Sequence, residues 1–203
     1  MEELGGLSEA DVAAEPVAQF AAWYADARAA HGDDADAMVV ATADGTGVPS
    51  ARVVLLRGFD ERGFCFFTNY ESRKGREIAA NPRVAVVWHW SALHRQVRAS
   101  GRVTVLAGTE SDAYWSNRPL ASRLSASVSR QSEVIDDRAR LEEDVAELAA
   151  RFGDGAVPRP EFWGGYRVEP DEVEFWLHRE DRLHDRIRYR RADGGWVVER
   201  LQP

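Results

Sequence analysis

Four of the cations in one stretch of the chain, Ala51 to Pro82, bracket its first strand and open its helix: Arg52, Arg57, Arg73 and Lys74. Arg73 and Lys74 follow Ser72, a residue type favoured at helix N-caps, and so fall in a first helical turn. Cations there oppose the helix macrodipole, typically by a few tenths of a kcal/mol. The placement makes sense where an anion sits at that terminus, because free backbone N–H groups and two cations together make a phosphate site. Arg52 and Arg57 bracket the apolar run Val53, Val54, Leu55 and Leu56, but they differ in parity, so a flat strand sends them to opposite faces. One ligand meets both only across a curved sheet; otherwise the two serve different ligands. A solvated basic edge is the plain alternative, and spacing alone leaves it open.

A second basic cluster is REDRLHDRIRYRR, Arg179 to Arg191. Arg182, His184, Arg186, Arg188 and Arg190 share parity, so on one extended strand they line one face. Such a row makes a poor solvent-facing edge unless anions or acidic partners meet it, although charge also protects edge strands. Tyr114, Arg118 and Ser122, spaced four apart around Pro119, can offer a hydroxyl, a guanidinium and a second hydroxyl to a phosphate. Gln131-Ser132 is a weaker signal of the same kind. The five histidines lack metal-ligand spacing, and the one cysteine, Cys65, has no partner for a disulfide. With no nucleophile elbow, P-loop or dinucleotide fingerprint, the chemistry is expected from a bound cofactor rather than from side chains alone.

The elements that must position these groups are mostly strands. The spacing predicts a helix from Pro16 to Ala30 with Val17, Phe20, Tyr24 and Ala27 on one face. A strand at Ala37 to Ala43 turns at Asp44–Gly47 into a strand ending at Arg57. Gly58, Asp60 and Gly63 then supply a turn before the run Phe64, Cys65, Phe66 and Phe67. Strands follow at Arg83–Trp90 and Arg95–Leu106, where Gly101 marks a bulge or bend. Short helices are expected from Thr109 or Ser111 to Tyr114 and from Pro119 to Val128. A longer one runs from Asp136 or Asp137 to Phe152, with Leu141, Val145, Leu148 and Phe152 in register and Gly153 and Gly155 at its end. Tyr166–Val168, Val173–Leu177, Asp185–Arg190 and Trp196–Leu201 read as four further strands. Strands that adjoin without crossover helices predict a mainly β fold with peripheral helices, an antiparallel barrel. Residues 1–14 read as a mobile, acidic arm ahead of a single domain over 15–203.

The chain has 203 residues, 44% hydrophobic and 30% charged, with a net charge of −8. That balance argues against nucleic acid or an anionic membrane as the main partner. No stretch has the length of a membrane span and the N-terminus lacks the regions of a signal peptide, so the cytoplasm is the expected location.

Taken in order, RVVLLR, FFTN-x-x-SRKG, NPRVAVVW, RQV-x-x-x-G, SNRP, SRQS, FWGGYRV, EFW and RLHDR resemble the pyridoxamine 5'-phosphate oxidase family along almost the whole chain. The resemblance implies a Greek-key, FMN-binding split β-barrel working as a homodimer, with FMN at the subunit interface. It implies that Arg52, Val53, Val54, Leu55, Leu56 and Arg57 run beside the flavin, and that Arg73 and Lys74 hold its phosphate with Arg52. Phe67, Thr68, Gln96, Gln131, Ser132, Trp176 and Arg186 would complete the FMN site, some of them from the second subunit. Arg57, Tyr114, Arg118 and Ser122 would meet the substrate phosphate, while Arg182, Leu183 and His184 would lie over the pyridine ring, Arg182 and His184 being the catalytic pair. The implied reaction oxidises pyridoxamine or pyridoxine 5'-phosphate to pyridoxal 5'-phosphate, with dioxygen as final acceptor and hydrogen peroxide as product. A same-fold flavin oxidase of another ring, such as a phenazine precursor, and a non-catalytic flavin carrier are the alternatives.

Four features depart from the family pattern. The Arg-x-x-Tyr lid before the Gly-Gly-Leu is missing, and Arg57 stands where Lys is usual, which keeps the charge but changes its geometry. Phe67 replaces a frequent Tyr, and Ser127 a usual Trp. The missing lid and Ser127 bear on the substrate cover more than on the FMN site.

Overall fold

The structure, a computed structural model, describes residues 6–153 and 155–203. Among these residues, nine antiparallel strands form one curled sheet in the order β2-β1-β5-β6-β7-β4-β3, and β8 and β9 continue from β7. They are β1 (Ala37–Ala43), β2 (Pro49–Leu55), β3 (Gly58–Asp60), β4 (Gly63–Asn69), β5 (Arg83–Trp90), β6 (Arg95–Val105), β7 (Trp163–Leu177), β8 (Asp185–Ala192) and β9 (Gly195–Arg200). Among the described residues, five α-helices lie around the sheet: α1 (Pro16–His31), α2 (Arg73–Ala80), α3 (Gly108–Ser116), α4 (Leu120–Val128) and α5 (Arg138–Phe152). The expected β-rich architecture is present. No helix among the described residues is long and apolar enough to cross a membrane.

Alternation builds the core. Along β5 the residues Val84, Val86, Trp88 and Trp90 are buried, and they share one core with Phe64 and Phe66 of β4, Val97 of β6 and Val173 and Phe175 of β7. α1 closes the barrel by inserting Phe20, whose ring packs on Phe64 and Trp88. Its buried stripe is Phe20, Trp23 and Ala27, and Val17 and Tyr24 of the predicted face sit at the margin.

Three expectations change. The two short strands predicted between Tyr166 and Leu177 are one strand, β7. Its first half pairs with β4 and its second with β8, while β6 runs along its other edge from Tyr166 to Leu177. The β6–β7 pairing carries a register shift at Ser100/Gly101 of β6. There a Cβ on Gly101 would stand 2.0 Å from the Glu169 carbonyl oxygen, so only glycine fits. Second, the predicted strand ending at Arg57 stops at Leu55 and pairs only with β1; Gly58–Asp60, expected as turn, pairs with β4 instead. Third, the arm expected to be mobile is fastened over its described part. The Leu7 N–H donates to Asp185, Arg200 donates to the Leu7 carbonyl and to Glu9, and the Tyr189 hydroxyl donates to the Ala13 carbonyl. Met1–Gly5 lie outside the described residues.

Candidate active site

A cleft of about 880 Å³ opens between β2, β4, the start of α2, the α3–α4 segment and the loop at Gln131-Ser132. Of the predicted residues it gathers Arg52, Val53, Val54, Leu55, Arg57, Phe67, Thr68, Arg73, Lys74, Tyr114, Arg118, Ser122, Gln131 and Ser132. The parity conflict between Arg52 and Arg57 disappears because β2 ends between them: Leu56 turns into the core and Arg57 lies beyond the strand. Leu56, read as part of the flavin-side run, is therefore buried beneath the cleft rather than in its wall.

One end of the cleft is a cationic corner. Ser72 caps α2 by accepting the Gly75 N–H, as predicted, and the first turn carries no acid. Glu77, one turn on, is the corner's carboxylate. It accepts from the Thr42 and Ser50 hydroxyls, from Arg73 Nε at 2.8 Å and from Arg52 Nη2 at 3.4 Å. Burial pushes the Glu77 carboxyl up, but the hydrogen bonds from Ser50, Thr42 and Arg73 outweigh it and hold the group at about 2. Lys74 is 7% exposed, and among the described residues its ammonium donates only to neutral oxygens: Gln131 Oε1 at 2.5 Å, Thr68 Oγ1 at 3.0 Å and Ser72 Oγ at 3.3 Å. Burial, then the Arg52 charge, lowers its pKa to about 8. Three cations facing one carboxylate leave a buried excess of positive charge, which a bound anion would offset.

The other end carries Arg118 and Arg57. The Arg118 guanidinium lies over the Trp163 ring at 4.7 Å and donates to the Ser122 carbonyl at 3.3 Å. Its Nε is buried with no partner among the described residues, and burial lowers its pKa. Arg57 pairs with Asp36 at 3.0 Å. Between the two ends run Val53 and Leu55, 64% and 42% exposed, and a stack in which Phe67 lies 3.9 Å from Tyr114 and 5.6 Å from Trp163. The Trp-Gly-Gly of β7 permits this stack, because a Cβ on Gly165 would come within 2.8 Å of Phe67. The sequence assigns no site role to Glu77, Asp36 or Trp163, although Trp163 lies in the FWGGYRV motif and Glu77 has an i,i+4 spacing from Arg73.

The remaining predicted residues form a second group outside this cleft. Gln96, Trp176 and Arg186 are direct cross-strand neighbours on β6, β7 and β8, and the His184 ring lies 4.6 Å from Trp176. The Arg179 N–H donates to His184 Nδ1, which leaves the ring proton on Nε2. The expected single-strand row is corrected here. Arg182 and Leu183 lie in a turn before β8, where Asp181 and Arg182 have φ of 54° and 63°, so neither Arg182 nor His184 belongs to the strand face. Arg186, Arg188 and Arg190, which do, meet acidic partners: Glu174, Glu199 with Glu172, and Glu199.

Strand members of both groups share one face of the sheet. Val53, Val39, Val87, Arg98, Glu174, Arg188 and Glu199 form one continuous cross-strand row, apolar towards β2 and charged towards β9. Leu55, Gln96, Trp176 and Arg186 lie on this face too, because each is two residues from a member of the row on its own strand.

A family model described as pyridoxamine 5'-phosphate oxidase matches residues 14–152, and one described as a pyridoxine 5'-phosphate oxidase C-terminal dimerisation region matches residues 163–203. Two pyridoxine/pyridoxamine 5'-phosphate oxidases are similar over nearly full length. That of Cupriavidus pinatubonensis is 54% identical over 98% of this chain and 94% of its own, and that of Rubrobacter xylanophilus is 53% identical over 98% and 91%. Among solved structures, PhzG from Burkholderia lata in complex with tetrahydrophenazine-1-carboxylic acid superposes with a TM-score of 0.91 at 36% identity, covering 97% of this chain and 98% of that one. An FMN-binding protein related to pyridoxamine 5'-phosphate oxidase, from Nostoc punctiforme, shares the fold with a TM-score of 0.75 at 19% identity, over 95% of this chain and all of that one. On these matches, the chain belongs to the pyridoxamine 5'-phosphate oxidase family.

Proposed function

We propose that the chain is an FMN-dependent oxidase converting pyridoxine 5'-phosphate or pyridoxamine 5'-phosphate to pyridoxal 5'-phosphate. The observation that carries this reading is a cleft with two cationic ends, neither matched in charge, joined by apolar and aromatic walls. Two phosphates and two rings are the complement of that shape. FMN, when bound, supplies the two-electron acceptor and passes the electrons to dioxygen, with hydrogen peroxide as product. Arg52, Arg73 and Lys74, with Thr68, Gln131 and Ser132, would hold its phosphate, and Val53 to Leu55 would flank its ring.

Arg118, Tyr114, Ser122 and Arg57 would hold the phosphate of the substrate. Each charge-assisted bond of this kind contributes about 1.5–3 kcal/mol where water is excluded, and together they fix the position of the reacting carbon. Gln96, Trp176, Arg182, Leu183, His184 and Arg186 would reach a cleft across a two-fold interface, from a second copy of the chain. Because Gln96, Trp176 and Arg186 share a sheet face with the exposed Val53 and Leu55, packing that face on itself sets one protomer's β7–β8 region against its partner's β2 edge. His184 then enters as an Nε2–H donor, and Arg182 brings a positive charge from a turn held in the left-handed region.

The likeness to a protein holding a tetrahydrophenazine acid favours one second reading, oxidation of a reduced phenazine ring. Steady-state assay of the FMN-loaded dimer with pyridoxine 5'-phosphate and with tetrahydrophenazine-1-carboxylic acid separates them. Formation of pyridoxal 5'-phosphate is expected; no turnover of the phosphorylated vitamer by fully loaded protein overturns the proposal. Anaerobic addition of substrate is expected to bleach the flavin, which a mere carrier would leave yellow.

A further inference from the structure

We infer that Asp36 is a positioning residue for substrate recognition: it fixes the Arg57 guanidinium at the mouth of the cleft for the phosphate of the substrate. The inference rests on the function proposed above and adds to it a residue that touches neither ligand.

Asp36 is 8% exposed, and its two oxygens do different work. Oδ1 accepts from the Tyr24 hydroxyl at 2.5 Å and from Arg28 Nη1 at 3.1 Å, which ties the end of α1 to the start of β1. Oδ2 accepts from Arg57 Nη1 at 3.0 Å. The backbones are clamped as well, by Leu56 N–H to the Asp36 carbonyl at 2.9 Å and Arg57 N–H to the Cys65 carbonyl at 2.8 Å. Arg57 therefore leaves a fixed point and is caught at one nitrogen. Its Nε and Nη2 have no acceptor among the described residues, and the side chain lines the cleft.

Charge explains why such a tether is needed. Arg57 shares its end of the cleft with Arg118, whose pKa is lowered first by burial and also by the Arg57 charge. Before the substrate arrives, the two guanidiniums repel, and a long side chain that is one-third exposed would swing into water. The Oδ2 arm holds it, while a partly exposed ion pair of this kind contributes little to stability. Asp36 thus has a structural half and a recognition half, and they can be separated by experiment.

The test compares the parent, Asp36→Asn, Arg57→Ala and the double variant, each as FMN-loaded protein, with pyridoxine 5'-phosphate and with pyridoxine. Asp36→Asn is expected to raise KM for the phosphorylated substrate about tenfold, leaving kcat, flavin content and kcat/KM for pyridoxine within about twofold. In the Arg57→Ala background the same substitution is expected to add less than about twofold, because the group it positions is gone. Equal losses with both substrates, or an undiminished effect without Arg57, would overturn the inference and leave Asp36 a structural residue. Should Asp36→Asn fail to fold, Asp36→Glu keeps the charge, moves it by one methylene and is expected to show the same phosphate-specific shift. Equilibrium binding of pyridoxal 5'-phosphate against pyridoxal gives a readout without turnover, with the same tenfold loss expected for the phosphorylated ligand only. A parent that fails to oxidise pyridoxine 5'-phosphate would count against the proposed function, whereas the binding comparison would still decide the role of Asp36.

Discussion

The cationic corner of the cleft and the outer row on β6–β9 are built from the same residue type, and they differ in what faces it. In the outer row Arg98, Arg186, Arg188 and Arg190 meet Glu172, Glu174 and Glu199, each guanidinium on a carboxylate. Glu174, 2% exposed, is held by two arginines at once. In the corner, Arg52, Arg73 and Lys74 share the single Glu77, and the most buried cation, Lys74, touches no carboxylate. A ligand site is marked by charge left unmatched where water is scarce, and a count of arginines does not reveal it. Arg186 spans the two regimes: proposed for the cofactor, it already has its counter-charge, so it would lend hydrogen bonds and little net charge.

The largest effect is expected from breaking the corner. Arg73→Ala with Lys74→Ala removes two charge-assisted contacts, about 3–6 kcal/mol, so FMN affinity should fall by roughly 10²–10⁴-fold. Arg190→Ala, which leaves Glu199 paired with Arg188, should keep FMN affinity within about twofold. Titration of FMN into apoprotein, followed by quenching of flavin fluorescence, checks both. Equal affinities in the double variant and the parent would erase the distinction between the two regions.

Arg182 extends the comparison to turnover. It stands outside the paired row, in a turn with φ of 63°, and has no ion-pair partner among the described residues. Arg182→Ala is expected to lower kcat on the order of 10²-fold, the scale of losing one well-placed donor to the reacting centre. Flavin content, read from absorbance, should stay at the parent level. Loss of flavin instead would move Arg182 from the chemistry to cofactor retention.

How much of this was legible in the sequence depends on the range of the interaction. Local signals carried well: the Ser72 cap, the irregularity at Gly101 and the extent of α5, read as starting at Asp136 or Asp137, follow from residues a few positions apart. The gathering of the residues from Arg52 to Ser132 into one cleft matches the family resemblance, since no periodicity joins segments that far apart. Parity misled at Arg182 and His184, because alternation presumes a strand, and two left-handed residues end that presumption before β8 begins. Asp36 was invisible for a different reason: its partners come from α1 and from beyond β2, at separations of 8 to 21 residues that no pattern links.

The smallest effect concerns pH, and it tests whether Lys74 belongs to the unmatched side of the comparison. Its pKa is lowered from 10.5 to about 8 in the protein without ligand, chiefly by burial. Between those two values the unfolded chain binds the additional proton, so this group's contribution to apoprotein stability rises with pH from about 8 to 10.5. FMN affinity has the opposite sign. A phosphate dianion favours the ammonium, so above pH 8 binding must take up a proton, and affinity declines by less than tenfold over the next pH unit. Below pH 8 Lys74 is already charged and its effect levels off. Lys74→Met should abolish the decline while binding FMN more weakly throughout. Fluorescence titrations at pH 7.5, 8.5 and 9 in the parent and the variant read this directly. An affinity in the parent as flat as in Lys74→Met would mean that the buried ammonium senses no phosphate, and that the corner's excess charge serves something other than the flavin.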